Sequence, residues 1–257
     1  MPDAREAFDP SAFDAAAYGR SAARDYDALH AGLDPSAAVR TLTELAAGEP
    51  VVEFGIGTGR IALPLAEQGV EVHGIEGSAE MAAELRRKPG GEKVPVVIGN
   101  FAEALAGIGF GLVLLAVNTV YALPTQDAQV ACFRNAARHL RMGGCFVVEA
   151  WVPDIGAFHN GTAVRPVQIE NGHIELEIAR IRLATQTMLT TKLHLSNEGT
   201  RLIPANHRYA WPAELDLMAR LAGMRLAHRW ENWQRAPFRD TSSTHVSVWE
   251  KGPGGTW

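Results

Sequence analysis

The chain has only two cysteines, Cys132 and Cys145, each among apolar neighbours and neither beside a pair of histidines. That excludes a disulfide framework and a cysteine-based zinc site, so no metal is expected and both thiols read as buried in a reducing cytoplasm. Also lacking is any cluster of five or six lysines or arginines, and the formal net charge is -5. A surface that tracks phosphates is therefore not advertised, and nucleic acid is not an expected partner. No apolar run approaches the roughly 18 residues of a membrane-spanning helix. Residues 1–30 are acidic, alanine-rich and broken by prolines, without a basic end followed by an apolar core, so no secretion signal is expected and the location reads as cytoplasmic. The G-x-S-x-G pattern of serine hydrolases is missing. No internal repeat is visible, and the low-complexity tail GPGGTW is expected to be disordered.

What is present is enough apolar material for a sizeable core, 47% of 257 residues. Short apolar runs without polar alternation, VVEF (51–54), VEVHGIE (70–76), VPVVI (94–98), FGLVLLAVN (110–118) and CFVVEA (145–150), read as strands buried on both faces. Between them, residues 60–68, 78–88 and 125–140 carry apolar positions three or four apart and read as helices, with Ser78 as an N-cap. Strands joined by such helices make right-handed crossovers and a parallel sheet whose ligand sits outside the carboxyl ends of the strands.

The pattern changes after residue 150. Asn171-Gly172 and Asn197-Glu198-Gly199 are turn signals between alternating segments, which predicts an antiparallel lobe. Apolar parity shifts between Ile178 and Ile181, which predicts a bulge near Arg180. WPAELDLMARLAG (211–223) reads as a helix with Pro212 in its first turn and Gly223 at its end, followed by two further strands, MRLAHRW and HVSVWE.

The glycines carry the functional signal. A dinucleotide fingerprint, G-x-G-x-x-G counted from Gly55, would need a glycine where Arg60 stands, so NAD is disfavoured. The stretch is instead E-F-G-I-G-T-G, with Glu53 preceding Gly55, Gly57 and Gly59; Glu76 closes the second strand and IGNFAEAL follows the third. Together with LRMGGCFVVEA and the final strand pair, this resembles the class I S-adenosylmethionine-dependent methyltransferases, over roughly residues 40–150 and 210–250. The resemblance implies a Rossmann-like, doubly wound, mostly parallel seven-stranded α/β sheet with the antiparallel β lobe inserted after strand five. It implies S-adenosylmethionine as cofactor and S-adenosylhomocysteine as product, with the glycine loop at the methionine part and Glu76 on the ribose diol. The family's adenine-binding acid is replaced by Asn100, followed by the apolar Phe101. Tyr18, Tyr26, Gly77, Met81 and Asn118 complete the expected cofactor set, although Met81 and Tyr26 have an equally good reading as core. The expected organisation is an amino-terminal helical lid (1–40), a cofactor-binding core (41–151 and 210–251), an acceptor-covering lobe (152–209) and the tail (252–257).

The acceptor should face the sulfonium from above the strand ends. Candidate contacts are Asn118 and Tyr121, Glu149, Trp151 and Asp154, and the opening residues Tyr18, Arg20, Arg24 and Tyr26. The opening segment looks like the lid helices of small-molecule methyltransferases from bacterial natural-product and amino-sugar pathways. Displacement at an activated methyl carbon needs positioning and exclusion of water, without a metal. A hydroxyl acceptor would need a general base; His159 and His207 are the candidates, with Glu149 behind them, whereas an amine needs only to be neutral. The expectation is a small-molecule acceptor methylated at nitrogen or oxygen, with no nucleic acid or membrane partner and a homodimer left open. The alternatives are a cofactor-binding module without methyl transfer, or a macromolecule methyltransferase.

Overall fold

The computed structural model describes residues 19, 20, 23, 26–30, 32–197 and 199–252. Eleven strands among these form two sheets. The larger has seven, in the order β10-β11-β5-β4-β1-β2-β3: β1 (Val51–Phe54), β2 (Val72–Glu76), β3 (Val96–Ile98), β4 (Phe110–Leu115), β5 (Leu140–Trp151), β10 (Met224–Trp230) and β11 (Thr244–Lys251). β1 to β5 run parallel, and β11 pairs antiparallel with both β5 and β10. The smaller sheet is a four-stranded antiparallel meander inserted after β5: β6 (Thr162–Glu170), β7 (His173–Arg182), β8 (Thr187–Ser196) and β9 (Gly199–Arg208). The expected Rossmann-like architecture and its insertion are therefore present.

Alternation along the central strands divides the core in two. Val51, Leu112, Leu114 and Val147 face α2 (Ser36–Ala46), α3 (Ala62–Glu67) and α4 (Ala79–Arg87), where Leu42, Leu65 and Leu85 are fully buried. Val52, Phe54, Val113, Phe146 and Val148 face α5 (Gln126–His139) and α6 (Pro212–Leu221), with Phe133 and Trp249 between them. β1 and β4 are buried on both faces and carry no polar alternation, as the sequence pattern anticipates; β3, expected to be buried likewise, is the edge strand and leaves Val97 and Ile98 exposed. Pro212 opens α6, and Gly223 follows it at φ 76°. A short helix, α1 (Tyr26–Leu29), precedes α2. No helix among the described residues is long and apolar enough to cross a membrane.

Two details of the lobe differ from expectation. The β7–β8 register runs unbroken from His173 to Arg182, so no bulge sits near Arg180; the irregularity lies in β6, between Pro166 and Gln168. β6 is an edge strand, where a proline without an N–H and a local bulge cost the sheet least. The parity shift is instead absorbed by using both faces, with Ile174 and Ile178 on one side and Ala179 and Ile181 on the other. The meander also has a third turn, at residues 183–186, where Gln186 adopts φ 52°.

The two lobe faces are unlike. Register places Glu175, Glu177, Ala179, Thr190, Lys192, His194, Ile203 and His207 on the inner face, whose only buried hydrophobic residues are Ala179 and Ile203. The outer face exposes Val164, Ile169, Ile178 and Leu202. The root of the lobe is pinned by polar groups. Arg208 donates to Glu214 at 2.7 Å, Gln186 donates to the other Glu214 oxygen at 2.7 Å, and Gln129 donates to the carbonyls of Arg208 and Val120.

Candidate active site

The carboxyl end of β1 leads into the glycine loop. Gly55, Gly57 and Gly59 all have positive φ (68°, 56° and 81°), a region that side chains disfavour. Their surroundings differ. A Cβ on Gly55 would press on Thr119 and one on Gly59 on Leu63 and Leu85, whereas one on Gly57 would meet only the Gly55 carbonyl oxygen, at 3.9 Å. Gly57 is thus the glycine that faces open space.

Glu76, at the end of β2, accepts from the Gly57 N–H at 2.8 Å and from the Ser78 N–H at 2.9 Å. Burial raises its pKa; N–H donors from Ser78, Gly57 and Gly77 oppose that shift. A carboxylate has about four lone-pair sites, so two backbone donors leave capacity for a diol. Ser78 caps α4 as expected, its Oγ accepting from Met81 N at 3.3 Å. Met81 is buried in a small cluster with Ala23 and Tyr26, which pack on the first turn of α4. Tyr18 and Arg24 lie outside the described residues.

Glu53 is the most perturbed carboxyl here. Burial pushes it up to about 8 against the pull of the Arg60 guanidinium, and the charges of Glu76 and Glu149 push it the same way. Its Oε2 is buried without a hydrogen-bond partner. Past β3, the Asn100 Oδ1 accepts from Ala102 N at 3.0 Å and so shapes the turn, while Phe101 is buried against Phe54.

The end of β4 is wound unusually. Val117 (φ 47°) and Asn118 (φ 61°) are both left-handed, a costly state for a β-branched valine. Glu149 holds it in place: one oxygen accepts from Val117 N at 3.0 Å and the other from the Trp233 indole at 2.7 Å. Asn118 Oδ1 accepts from Trp151 N at 2.7 Å. Both Glu149 oxygens are therefore engaged in positioning the strand end. Tyr121 is fully buried, its hydroxyl 2.9 Å from the Trp151 and Ala210 carbonyls, and packs beside the Trp151 ring. Asp154 caps a surface turn through Gly156 N.

The two candidate histidines have opposite surroundings. His159 is exposed, at the bridge to Thr162 that opens the lobe. His207, on the inner face of β9, has Nε2 3.1 Å from Thr190 Oγ1 and Nδ1 buried without a partner. Burial pushes its pKa down to about 4, so it is neutral at pH 7. It lies next to Arg208, whose carbonyl shares Gln129 with Val120 in the turn after Asn118.

Three contacts at this end escaped the sequence reading. Asp27 of α1 accepts from Thr58 Oγ1 at 2.6 Å and pairs with the Lys88 ammonium at 2.6 Å, and Lys88 donates to the Thr58 carbonyl at 2.8 Å. Through Asp27, α1 is latched to the glycine loop itself. Thr58 lay in plain view within the motif; nothing local marks Asp27 or Lys88.

A methyltransferase-domain family matches residues 51–144, from β1 to the start of β5. The CcbJ methyltransferase of Streptomyces caelestis superimposes with a TM-score of 0.87 at 39% identity, over 94% of this chain and 100% of that one. The chain belongs to the class I S-adenosylmethionine-dependent methyltransferases. The cypemycin N-terminal methyltransferase of a Streptomyces species is 25% identical over 93% of this chain and 99% of its own length. CalS10, an amino pentose methyltransferase of Micromonospora echinaspora, shares the fold with a TM-score of 0.66 at 22% identity, over 88% of this chain and 96% of that one. The methyltransferase fits its cofactor on its own geometry: Gly57 leaves the space beside the loop free, and Glu53 keeps a buried carboxyl oxygen without a partner.

Proposed function

We propose that this methyltransferase methylates nitrogen or oxygen of a small natural-product molecule, with an amine as the favoured acceptor. Gly57 and Glu76 would hold the methionine and ribose parts of the cofactor, and Asn100 with Phe101 would border the adenine. Bound there, S-adenosylmethionine supplies a methyl carbon activated by positive sulfur. The lobe's inner face and the latched α1 would cover the strand ends and exclude water.

The observation that carries the amine reading is His207. A neutral, half-buried imidazole whose enclosed Nδ1 has no partner would accept a hydrogen bond from the N–H of an acceptor admitted beside it and orient its lone pair. Held down to about 4, it is a weak base, poorly matched to removing a proton from an alcohol at neutral pH. The names of the related proteins, the cypemycin N-terminal methyltransferase and an amino pentose methyltransferase, support the same acceptor class.

The experiment is transfer of labelled methyl groups to cell extracts separated by size, then to the labelled fraction with His207→Ala and His159→Ala. The expected label is in small molecules, with kcat reduced less than the roughly 100-fold or more that loss of a general base costs. Label confined to RNA or protein overturns the acceptor class. A loss of 100-fold or more in either variant makes oxygen the acceptor atom.

A further inference from the structure

The inner face of the lobe carries a polar cluster that the methyl-transfer reading does not use. His173 and Glu175 are two apart on β7 and so share a face, and His194 on β8 is the direct register partner of Glu175. Their ligand atoms all lie within 4.8 Å of one another, and the His173 and His194 ring centroids are 6.0 Å apart. Among the described residues this is the one grouping of three such side chains. Two of its atoms, Glu175 Oε1 and His194 Nε2, are buried without a hydrogen-bond partner. Buried polar atoms left this way cost free energy unless something fills the gap between them.

We propose that His173, Glu175 and His194 bind one divalent transition-metal cation of the zinc class, cross-linking β7 to β8 in the lobe. Two imidazoles and one carboxylate are a ligand set such ions accept, with further positions left for water or another donor. A tetrahedral ion with bonds of about 2.1 Å sets its ligand atoms roughly 3.4 Å apart, so ligand atoms up to 4.8 Å apart have to close in by up to about 1.4 Å. The strand pairing already fixes their backbones. Within the cluster His194 Nδ1 lies 3.6 Å from Glu175 Oε2, and the cation that competes there is Lys192, whose ammonium lies 3.4 Å from Glu175 Oε1. Its flexible stem, with a side chain 41% exposed, lets it swing to solvent when the cation takes its place. The expectation that no metal is bound rested on cysteine and on local spacing; this cluster is assembled by register across a hairpin, where linear spacing gives no signal.

The test is titration of tag-free, metal-stripped protein with Co²⁺, followed by visible absorption, and with Zn²⁺ in competition with a chromophoric chelator. One equivalent of Co²⁺ should bind with ligand-field bands of low coordination number, and Zn²⁺ should displace it. His173→Gln and His194→Gln should each weaken binding by at least the roughly 10- to 100-fold that loss of a group outside the ligand set costs. Lys192→Met should tighten it. S-adenosylhomocysteine affinity, measured on each variant, confirms that the core is folded. Absence of stoichiometric binding overturns the proposal, as does binding that both histidine variants retain unchanged.

Discussion

Glu53→Gln should change how stability depends on pH. In the unfolded chain the carboxyl titrates at the ordinary 4.5, and in the fold burial holds it at about 8. Between those values the native state keeps a proton that the unfolded chain has lost. The contribution to stability is therefore fully present below 4.5 and falls as pH rises, to be lost by about 8. The size follows from the shift of 3.5 units (8 minus 4.5) at about 1.4 kcal/mol each, or about 5 kcal/mol. Buried histidines act in the opposite direction. His207 and His245, held down to about 4 and about 3, give stability that is present above their ordinary 6.5 and lost as pH falls. The wild-type curve sums all of these, but its difference from the variant isolates Glu53. The assay is urea unfolding of both proteins, without cofactor, at steps from about pH 5 to about pH 8. The stability of Glu53→Gln relative to wild type should climb across that range by several kcal/mol, and any constant cost of the amide cancels. Two parallel curves would refute the reasoning, because they would mean that Glu53 ionises in the fold as readily as in water.

Gly57→Val should abolish measurable S-adenosylhomocysteine binding in calorimetry while the protein stays folded, since its side chain enters the open space beside the loop. Glu76→Ala should weaken the same binding by roughly 1 to 3 kcal/mol, the range for hydrogen bonds to a charged group. Lys88→Met should leave stability within about 1 kcal/mol, as expected for a partly exposed pair, yet speed S-adenosylhomocysteine release by up to about five-fold in stopped flow by loosening Asp27 from the loop. Arg208→Met should cost about 3 kcal/mol in denaturant unfolding, the low end for breaking a buried ion pair, because Gln126 and Gln186 still donate to Glu214.

The parallel sheet was legible because strands buried on both faces have to be apolar throughout, and Pro212 and Gly223 mark helix ends by their own backbone restrictions. Gly57 and Glu76 were legible for the same reason: turn geometry and a strand-end acid are local properties. The bulge was misplaced because parity counts one face only, and β7 keeps its register by using both. Glu149 was read as a reserve base because its position after β5 is visible, while its two partners, Val117 N and the Trp233 indole, are far away in sequence. The Asp27 latch and the His173, Glu175 and His194 cluster were invisible on the same grounds, since each depends on which distant residues the fold brings into register.

The thin inner face of the meander sets a time scale. With Ala179 and Ile203 as its only buried hydrophobic residues, the lobe has little to hold it shut beyond its ladder hydrogen bonds and the polar root at Arg208 and Glu214. Its amides should exchange with solvent deuterium through local opening, whereas those of β1 and β4, packed on both faces, exchange only when the whole domain unfolds. The meander is thus the soft part of the enzyme, free to open and reclose many times within the lifetime of the rigid sheet that carries the glycine loop.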